Sequence, residues 1–510
     1  MIWRSRTIRQ PESAVRLGGL ARGSAVNLIG SVTAAASTFA LTLVLTHGLA
    51  AKDVGVFFTA TSLFLLLLSI GQLGSSTGVV YFIGREEPTR RRTVGPSVLR
   101  AAIVPVLSLA SLMGVLLIVL AEPIADIIDS SASEELIPCL RALGVFMPLA
   151  ASLAAFSAGT RGLGLMKPTA VLDQILRPAL QLVFVSAAMV LGSLPLVVLA
   201  WAAPYLPTAV ASHWWWRRSL HRAIPEAPRA GLSRQFWRFT APRALASVGQ
   251  LAMQRLDIVL VAALAGLREA AIYTAASRFI VLGQMVGAAI SRASQPGLAR
   301  AIATRDHQTA ATLYRTATAW LVLLVWPLYL VVALASATVM TVFGEEYVAG
   351  STVVTILAVS MLVATGCGMV DTVLIMAGRT SWNLYNVMLA FTVNLVADLI
   401  LIPPLGMTGA ALGWAMAILC ANLVPLAQIA LVLKLHPFGP ATLTAMAICT
   451  VAFGIVPAIA LFALGDEPYV LAAAVLIAVV LGGAATWRFR ELLELTSFVA
   501  EVRGRRRARR

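Results

Sequence analysis

Apolar runs long enough to cross a lipid bilayer recur along almost the whole chain, and no other feature constrains its fold so tightly. A helix needs about 20 consecutive, mostly apolar residues to span hydrocarbon. Inside hydrocarbon the backbone must satisfy its own hydrogen bonds, which makes helix the available structure for runs of this kind. They are read at residues 24–46, 56–83, 97–121, 136–158, 170–191, 194–216, 241–264, 271–296, 316–343, 351–377, 384–402, 408–433, 441–464 and 469–487. The fold class is therefore all-α: a polytopic membrane protein with about fourteen transmembrane helices. Composition agrees, since charged residues make up 12% of the chain, about half of what a soluble protein carries, and the mean hydropathy is +0.86.

Basic residues orient the spans, because Lys and Arg accumulate in cytoplasmic loops. With the N-terminus inside, the cytoplasmic segments hold Arg4, Arg6, Arg9, Arg16 and Arg22, then Arg85 and Arg90 to Arg92, Arg161, Lys167, Arg217 and Arg218. Further along they hold Arg222, Arg300, Arg305, Arg379, Lys434 and a basic cluster at 505–510. The opposite loops hold Lys52 and Arg268 and are rich in acids such as Glu122, Asp126, Asp129, Glu345 and Glu346. An even number of spans places both termini in the cytoplasm of a multi-pass inner-membrane protein. The first run is too long for a cleaved signal and is expected to stay as a membrane helix. Trp214 to Trp216, followed by Arg217 and Arg218, read as an interfacial belt. Residues 488–510 read as an amphipathic, basic tail against membrane lipids.

The chain repeats itself. Lys52-Asp53-Val54-Gly55-Val56-Phe57 precedes the second span and Arg268-Glu269-Ala270-Ala271-Ile272-Tyr273 the eighth, with the same order of base, acid, small, small, branched and aromatic residues. The same offset carries the first span onto the seventh, so two parallel, pseudo-symmetric six-helix lobes are expected, followed by a C-terminal helix pair. The expected organisation is a basic cytoplasmic N-terminus (1–23), an N-terminal lobe (24–216), a cytoplasmic linker (217–240), a second lobe (241–433), a helix pair (441–487) and the tail (488–510).

Several short stretches in a fixed order carry a family resemblance. They are Asn27-Leu28-Ile29-Gly30-Ser31, Asp53-Val54-Gly55-Val56-Phe57 and Gly71-Gln72-Leu73-Gly74 in the first half. In the second they are Arg255-Leu256-Asp257, Ile272-Tyr273-Thr274-Ala275-Ala276-Ser277-Arg278, Phe343-Gly344-Glu345-Glu346-Tyr347, Gly378-Arg379 and Leu401-Ile402-Pro403-Pro404-Leu405-Gly406-Met407-Thr408-Gly409-Ala410-Ala411. With these, the chain resembles the polysaccharide transporter, or oligosaccharide flippase, branch of the multidrug/oligosaccharidyl-lipid/polysaccharide flippase superfamily. The resemblance implies two lobes around a central cavity that opens alternately to each side. It also implies a lipid-diphosphate-linked oligosaccharide as cargo, with glycosyltransferases and a polysaccharide polymerase as functional partners. The sequence departs from the superfamily's drug exporters, which look like twelve-span proteins.

A charge at bilayer depth costs at least about 2.5–3.5 kcal/mol on insertion scales, so each one needs a reason. Arg141, Arg177, Arg255 and Arg278 are the candidates for a basic cavity that holds an anionic headgroup; Asp257, Asp371 and Asp398 are the candidates for binding a coupling proton or cation. Asp173 and Arg177, four apart on one helix face, are placed to neutralise each other, whereas Arg243 and Arg292 lie near span ends, where snorkelling suffices. The bland alternative throughout is salt bridging between helices.

Other chemistries lack their residues. The four cysteines are scattered, the five histidines do not cluster, and no metal-ligand spacing occurs. No Gly-x-x-x-x-Gly-Lys-Ser/Thr loop is present for a nucleotide-driven pump, and the longest loop carries no paired carboxylates for an enzyme of polysaccharide assembly. No cofactor and no nucleic acid partner are expected. A drug exporter of the same fold remains the alternative, and its cavity should be acidic.

Overall fold

A computed structural model describes residues 13–87, 89–220, 226, 231–465 and 467–494, with side chains from Ile29 onward except at positions 242, 243 and 246. The expectations for Arg243, for the basic side chains of 1–23 and for the tail beyond 494 lie outside the described residues.

Among the described residues all regular structure is helical. Fourteen helices are long and apolar enough to cross a membrane: α1 Ile29–Gly48, α2 Ala51–Gln72, α3 Arg91–Val119, α4 Ala121–Gly162, α5 Lys167–Met189, α6 Leu194–Ser219, α7 Ser247–Ala265, α8 Leu267–Ala303, α9 His307–Leu334, α10 Glu345–Met376, α11 Thr380–Leu405, α12 Met407–Leu433, α13 Pro440–Leu464 and α14 Pro468–Arg488. Each overlaps one of the apolar runs of the sequence. The protein is a multi-pass, all-helical membrane protein.

Two spans are interrupted where the sequence reads as continuous. After α2 the chain turns through Leu73 and Gly74, both left-handed (φ 50° and 62°), and resumes as the short helix Ser75–Gly84. A Cβ at Gly74 would collide with the backbone of Ala244, so the break lets two helices touch. α10 breaks between Gly366 and Val370, where Gly368 has φ +74°. The carbonyl of Cys367 freed there accepts the hydroxyl of Tyr314 from α9 at 2.7 Å, as the absence of water in hydrocarbon demands. Wide π turns at Ala170–Leu176 in α5 and Thr450–Ile455 in α13 each end two residues before a proline, Pro178 and Pro457. A proline ring clashes with the preceding turn and withholds an N–H, which loosens the helix just ahead of it.

α2 sits at the centre, packed on α3 and α4 from its own half and on α7 and α8 from the other. The largest buried cluster runs through this junction, with Phe57, Phe64 and Tyr205 on one side and Phe279, Tyr329 and Tyr347 on the other. Gly55 of α2 lies so close to the Leu267 backbone at the start of α8 that a Cβ would not fit. The two segments that match in sequence therefore meet in space. Each also makes the same kind of contact within its own half: Lys52 Nζ lies 3.8 Å from Glu135 in α4, and Arg268 Nε lies 3.6 Å from Glu346 at the start of α10.

The chain entering the second half is fastened to the first. Glu226 donates its backbone N–H to the Thr93 carbonyl at 2.9 Å, and its carboxylate accepts from Arg90 Nη2 at 2.8 Å and from the Thr93 hydroxyl at 3.0 Å. Ahead of α7, Phe236 is fully buried against the helix Ser75–Gly84, and Phe239 stacks on Tyr81 with ring centroids 4.2 Å apart. α13 packs along α9, and Trp320 of α9 donates to the Leu493 carbonyl at 3.0 Å, which ties the segment after α14 to the second half.

Candidate functional site

The intramembrane charges gather where the inner faces of α5, α6, α7, α8 and α11 approach one another. On the α5 side Arg177 is neutralised within its own helix: its Nε donates to Asp173 Oδ1 at 3.0 Å, and its Nη1 donates to Gln181 at 3.2 Å. The four-residue spacing produces this pair despite the π turn. The guanidinium also lies 5.2 Å from the ring centroid of Tyr205 on α6. Arg255 of α7 lines the same cavity as Arg278 of α8. Arg278 is only 8% exposed, its Nε has no hydrogen-bond partner, and its guanidinium rests 5.0 Å over the ring of Phe58 from α2. Among the described residues no carboxylate pairs with Arg255 or Arg278.

The acids form a second group directly alongside. Asp257 and Asp398, 2% and 1% exposed, come from α7 and α11 and are electrostatic neighbours. Tyr273 of α8 donates its hydroxyl to Asp257 Oδ2 at 2.9 Å, and Asn394 donates its amide to Asp398 Oδ2 at 3.0 Å. The Oδ1 atom of each acid has no hydrogen-bond partner among the described residues. Gly413 of α12 leaves room for the Asp398 carboxylate that a Cβ would occupy. A buried carboxylate pair of this kind needs positive charge, delivered as a shared proton or as a bound cation.

One cavity joins the two groups. Its walls include Gln254, Arg255, Asp257, Tyr273, Ser277, Arg278, Gln284 and Trp414, and its volume is about 90 Å³. Pockets that enclose organic ligands are usually about 300–1,000 Å³, so the cavity in this state is smaller than such a ligand needs.

Not every expected residue joins the site. Arg141, midway along α4 and half-exposed, donates to Glu122 at 2.7 Å and does not line the cavity. Asp371 lies on the short helix after the α10 break, exposed and apart from the acid pair. Its neighbour Thr372 hydrogen-bonds Ser291 of α8. Sequence reasoning missed Phe58, Tyr205, Tyr273 and Asn394. Only Asn394 left a readable trace, since Asn386, Asn394 and Asp398 form a buried polar stripe along an otherwise apolar helix.

A model for the family described as polysaccharide biosynthesis protein matches residues 20–302, and a MatE family model matches residues 242–400. A sequence comparison with curated proteins found no match. Among solved structures, the chain is similar to the lipid II flippase MurJ in an inward closed conformation, at 12% identity and a TM-score of 0.69, over 94% of this chain and 100% of that one. It is also similar to an inward-facing multidrug resistance transporter of the MATE family, at 16% identity and a TM-score of 0.63, over 81% of this chain and 99% of that one. A third is a transporter of the same superfamily from Pyrococcus furiosus, described by a reversed polarity of its binding pocket, at 16% identity and a TM-score of 0.57, over 82% and 98% of the two chains. At such identities these structures speak to the fold. The family match spans more than half of the sequence, and the chain belongs to the polysaccharide biosynthesis protein family of the multidrug/oligosaccharidyl-lipid/polysaccharide flippase superfamily of transporters.

Proposed function

We propose that this protein is a flippase that moves a polyprenyl-diphosphate-linked oligosaccharide across the cytoplasmic membrane for surface polysaccharide biosynthesis. The observation that carries the reading is the pair Arg255 and Arg278: two arginines of membrane-spanning helices that line one cavity and have no carboxylate partner among the described residues. Like charges placed together in a low dielectric repel, and each is costly to bury alone. An anion between them removes both costs. A diphosphate suits the planar, permanently charged guanidinium, which binds phosphate oxygens bidentately. The apolar prenyl tail would stay in lipid while the headgroup crosses.

In this reading the two six-helix lobes, 24–216 and 241–433, rock about the junction around α2, both termini are cytoplasmic, and Asp257 with Asp398 takes up the proton or cation whose gradient drives the cycle. Lys and Arg density on the linker side supports that orientation. Glycosyltransferases would supply the cargo and a polysaccharide polymerase would consume it. A cationic drug as cargo is disfavoured by the same two arginines, which would repel it.

Arg278→Ala tests the reading. The variant should insert normally and fail to export, so that lipid-linked saccharide accumulates on the inner leaflet. Wild-type surface polysaccharide in that variant removes Arg278 from the site, and new drug sensitivity with unchanged polysaccharide points to the exporter instead.

A further inference from the structure

We propose that Arg292 is a loading station for the cargo: a lumen-facing guanidinium that takes the diphosphate on the linker side of the membrane and passes it on to Arg255 and Arg278. This rests on the headgroup reading above and adds where the headgroup first docks.

The direction of the side chain carries the argument. Its place near a span end predicts snorkelling, and α8 ends on the linker side at Ala303, so a snorkelling arginine would extend toward that residue. Arg292 turns the other way: its Nε donates to the Ala288 carbonyl at 3.1 Å, one turn back toward the membrane interior. It is exposed, and among the described residues no carboxylate pairs with it. On a lipid-facing surface a guanidinium aimed inward would bear the full cost of a charge in hydrocarbon. A hydrated lumen removes that cost. The helix face agrees. Gly283, Gly287 and Gly297 turn toward α9, where they meet Tyr329, Leu321 and Leu313. At about 100° per residue, Arg292 is five residues from two of these glycines and projects from the side of α8 remote from α9. Val281, eleven residues earlier and so almost in line with Arg292, lines the cavity together with Arg278. The neighbouring Ser291 is hydrogen-bonded to Thr372 of α10, which fixes the rotation of the helix at this level.

The bond to Ala288 uses Nε and holds the side chain along the helix. The two Nη groups remain for a ligand, and a guanidinium so presented suits a diphosphate oxygen pair. Fourteen residues of helix place Arg292 about 21 Å from Arg278. That exceeds the screening length of about 8–10 Å in salt water. Arg292 therefore adds nothing to the affinity of a headgroup already seated on Arg255 and Arg278. It acts on how fast the headgroup arrives and leaves, because a fixed charge at the mouth of a cavity raises the local concentration of its counter-ion.

Rapid mixing of the full chain, in nanodiscs of zwitterionic lipid, with farnesyl diphosphate as the probe allows the test. Arg292→Gln should slow association and dissociation alike by roughly tenfold and leave the dissociation constant unchanged. Arg292→Lys keeps the charge and should recover most of the rate. Arg278→Gln should instead weaken the affinity. The Arg292 substitutions remove an exposed side chain bonded only to its own helix, and a wild-type melting temperature checks that they fold. Unchanged rates in Arg292→Gln overturn the station. If that variant also loses a bound anionic phospholipid from mixed-lipid discs, Arg292 is a membrane anchor. A loss of affinity equal to that of Arg278→Gln overturns the station as well, because it puts Arg292 in the headgroup site itself. In each of these outcomes the headgroup reading stands. No probe binding by the wild type sinks the headgroup reading and this inference with it.

Discussion

The guanidinium of Arg278, from the second half of the chain, lies 5.0 Å over the aromatic ring of Phe58, from the first. A desolvated contact of this kind contributes about 2 kcal/mol, and it holds the arginine across the junction without neutralising it. Phe58→Leu keeps an apolar side chain and removes the ring. Export should fall by roughly tenfold or more with insertion unchanged, and Phe58→Tyr should restore it; equal export rates in all three proteins would show that the ring does not position Arg278.

Gly55 should control closure on the side where Lys52 and Arg268 lie. A methyl group there meets the Leu267 carbonyl, and overpacking of such a contact costs about 1–3 kcal/mol. Gly55→Ala should therefore favour separation of α2 from α8. With the native cysteines removed, a thiol introduced by Val54→Cys, a fully buried position, should react faster with a polar maleimide in the Gly55→Ala background. Unchanged reactivity would mean the helices already separate freely.

The fastening of the linker to the first half is open to a charge-reversal experiment. Arg90 and Glu226 meet at 2.8 Å. Arg90→Glu opposes two carboxylates and should lower the melting temperature, whereas adding Glu226→Arg should recover most of the loss. If the double variant melts no higher than the single one, the pair does not form in the membrane.

Asp306 caps α9 from outside the membrane spans. Its carboxylate accepts from the Thr309 N–H at 3.0 Å and from the Thr309 hydroxyl at 2.7 Å, which together hold it below its usual value of 3.8. Because the folded value is the lower one, the stabilising contribution is complete above the unfolded value and fades as pH falls through the folded one. Amide exchange in the first turn of α9, corrected for its intrinsic pH dependence, should accelerate below about pH 4. Asp306→Asn should remove that dependence; wild-type behaviour in the variant would refute the assignment.

The reach of sequence reasoning followed the range of the interactions involved. Each membrane span is a local property of about 20 residues, so all fourteen were legible. The Asp173–Arg177 contact was legible for the same reason, being set by one helix turn. The breaks at Leu73–Gly74 and Gly366–Val370 were not, because they depend on what another helix brings against them: the backbone of Ala244 in one case and the Tyr314 hydroxyl in the other. Arg141 shows the converse: its charge marked it for the cavity, and in the structure it pairs with Glu122 at 2.7 Å.

By itself the sequence determined that the chain crosses the membrane, how many times, and which charges must find partners inside it, because hydrocarbon tolerates neither an open backbone nor an idle charge. Which charges meet was decided only by the tertiary structure. Asp257 comes beside Asp398, Arg278 finds Phe58, and Arg255 finds no acid among the described residues, because helices distant in the sequence are brought side by side by packing around α2 and by the close approach that Gly55 and Gly413 permit.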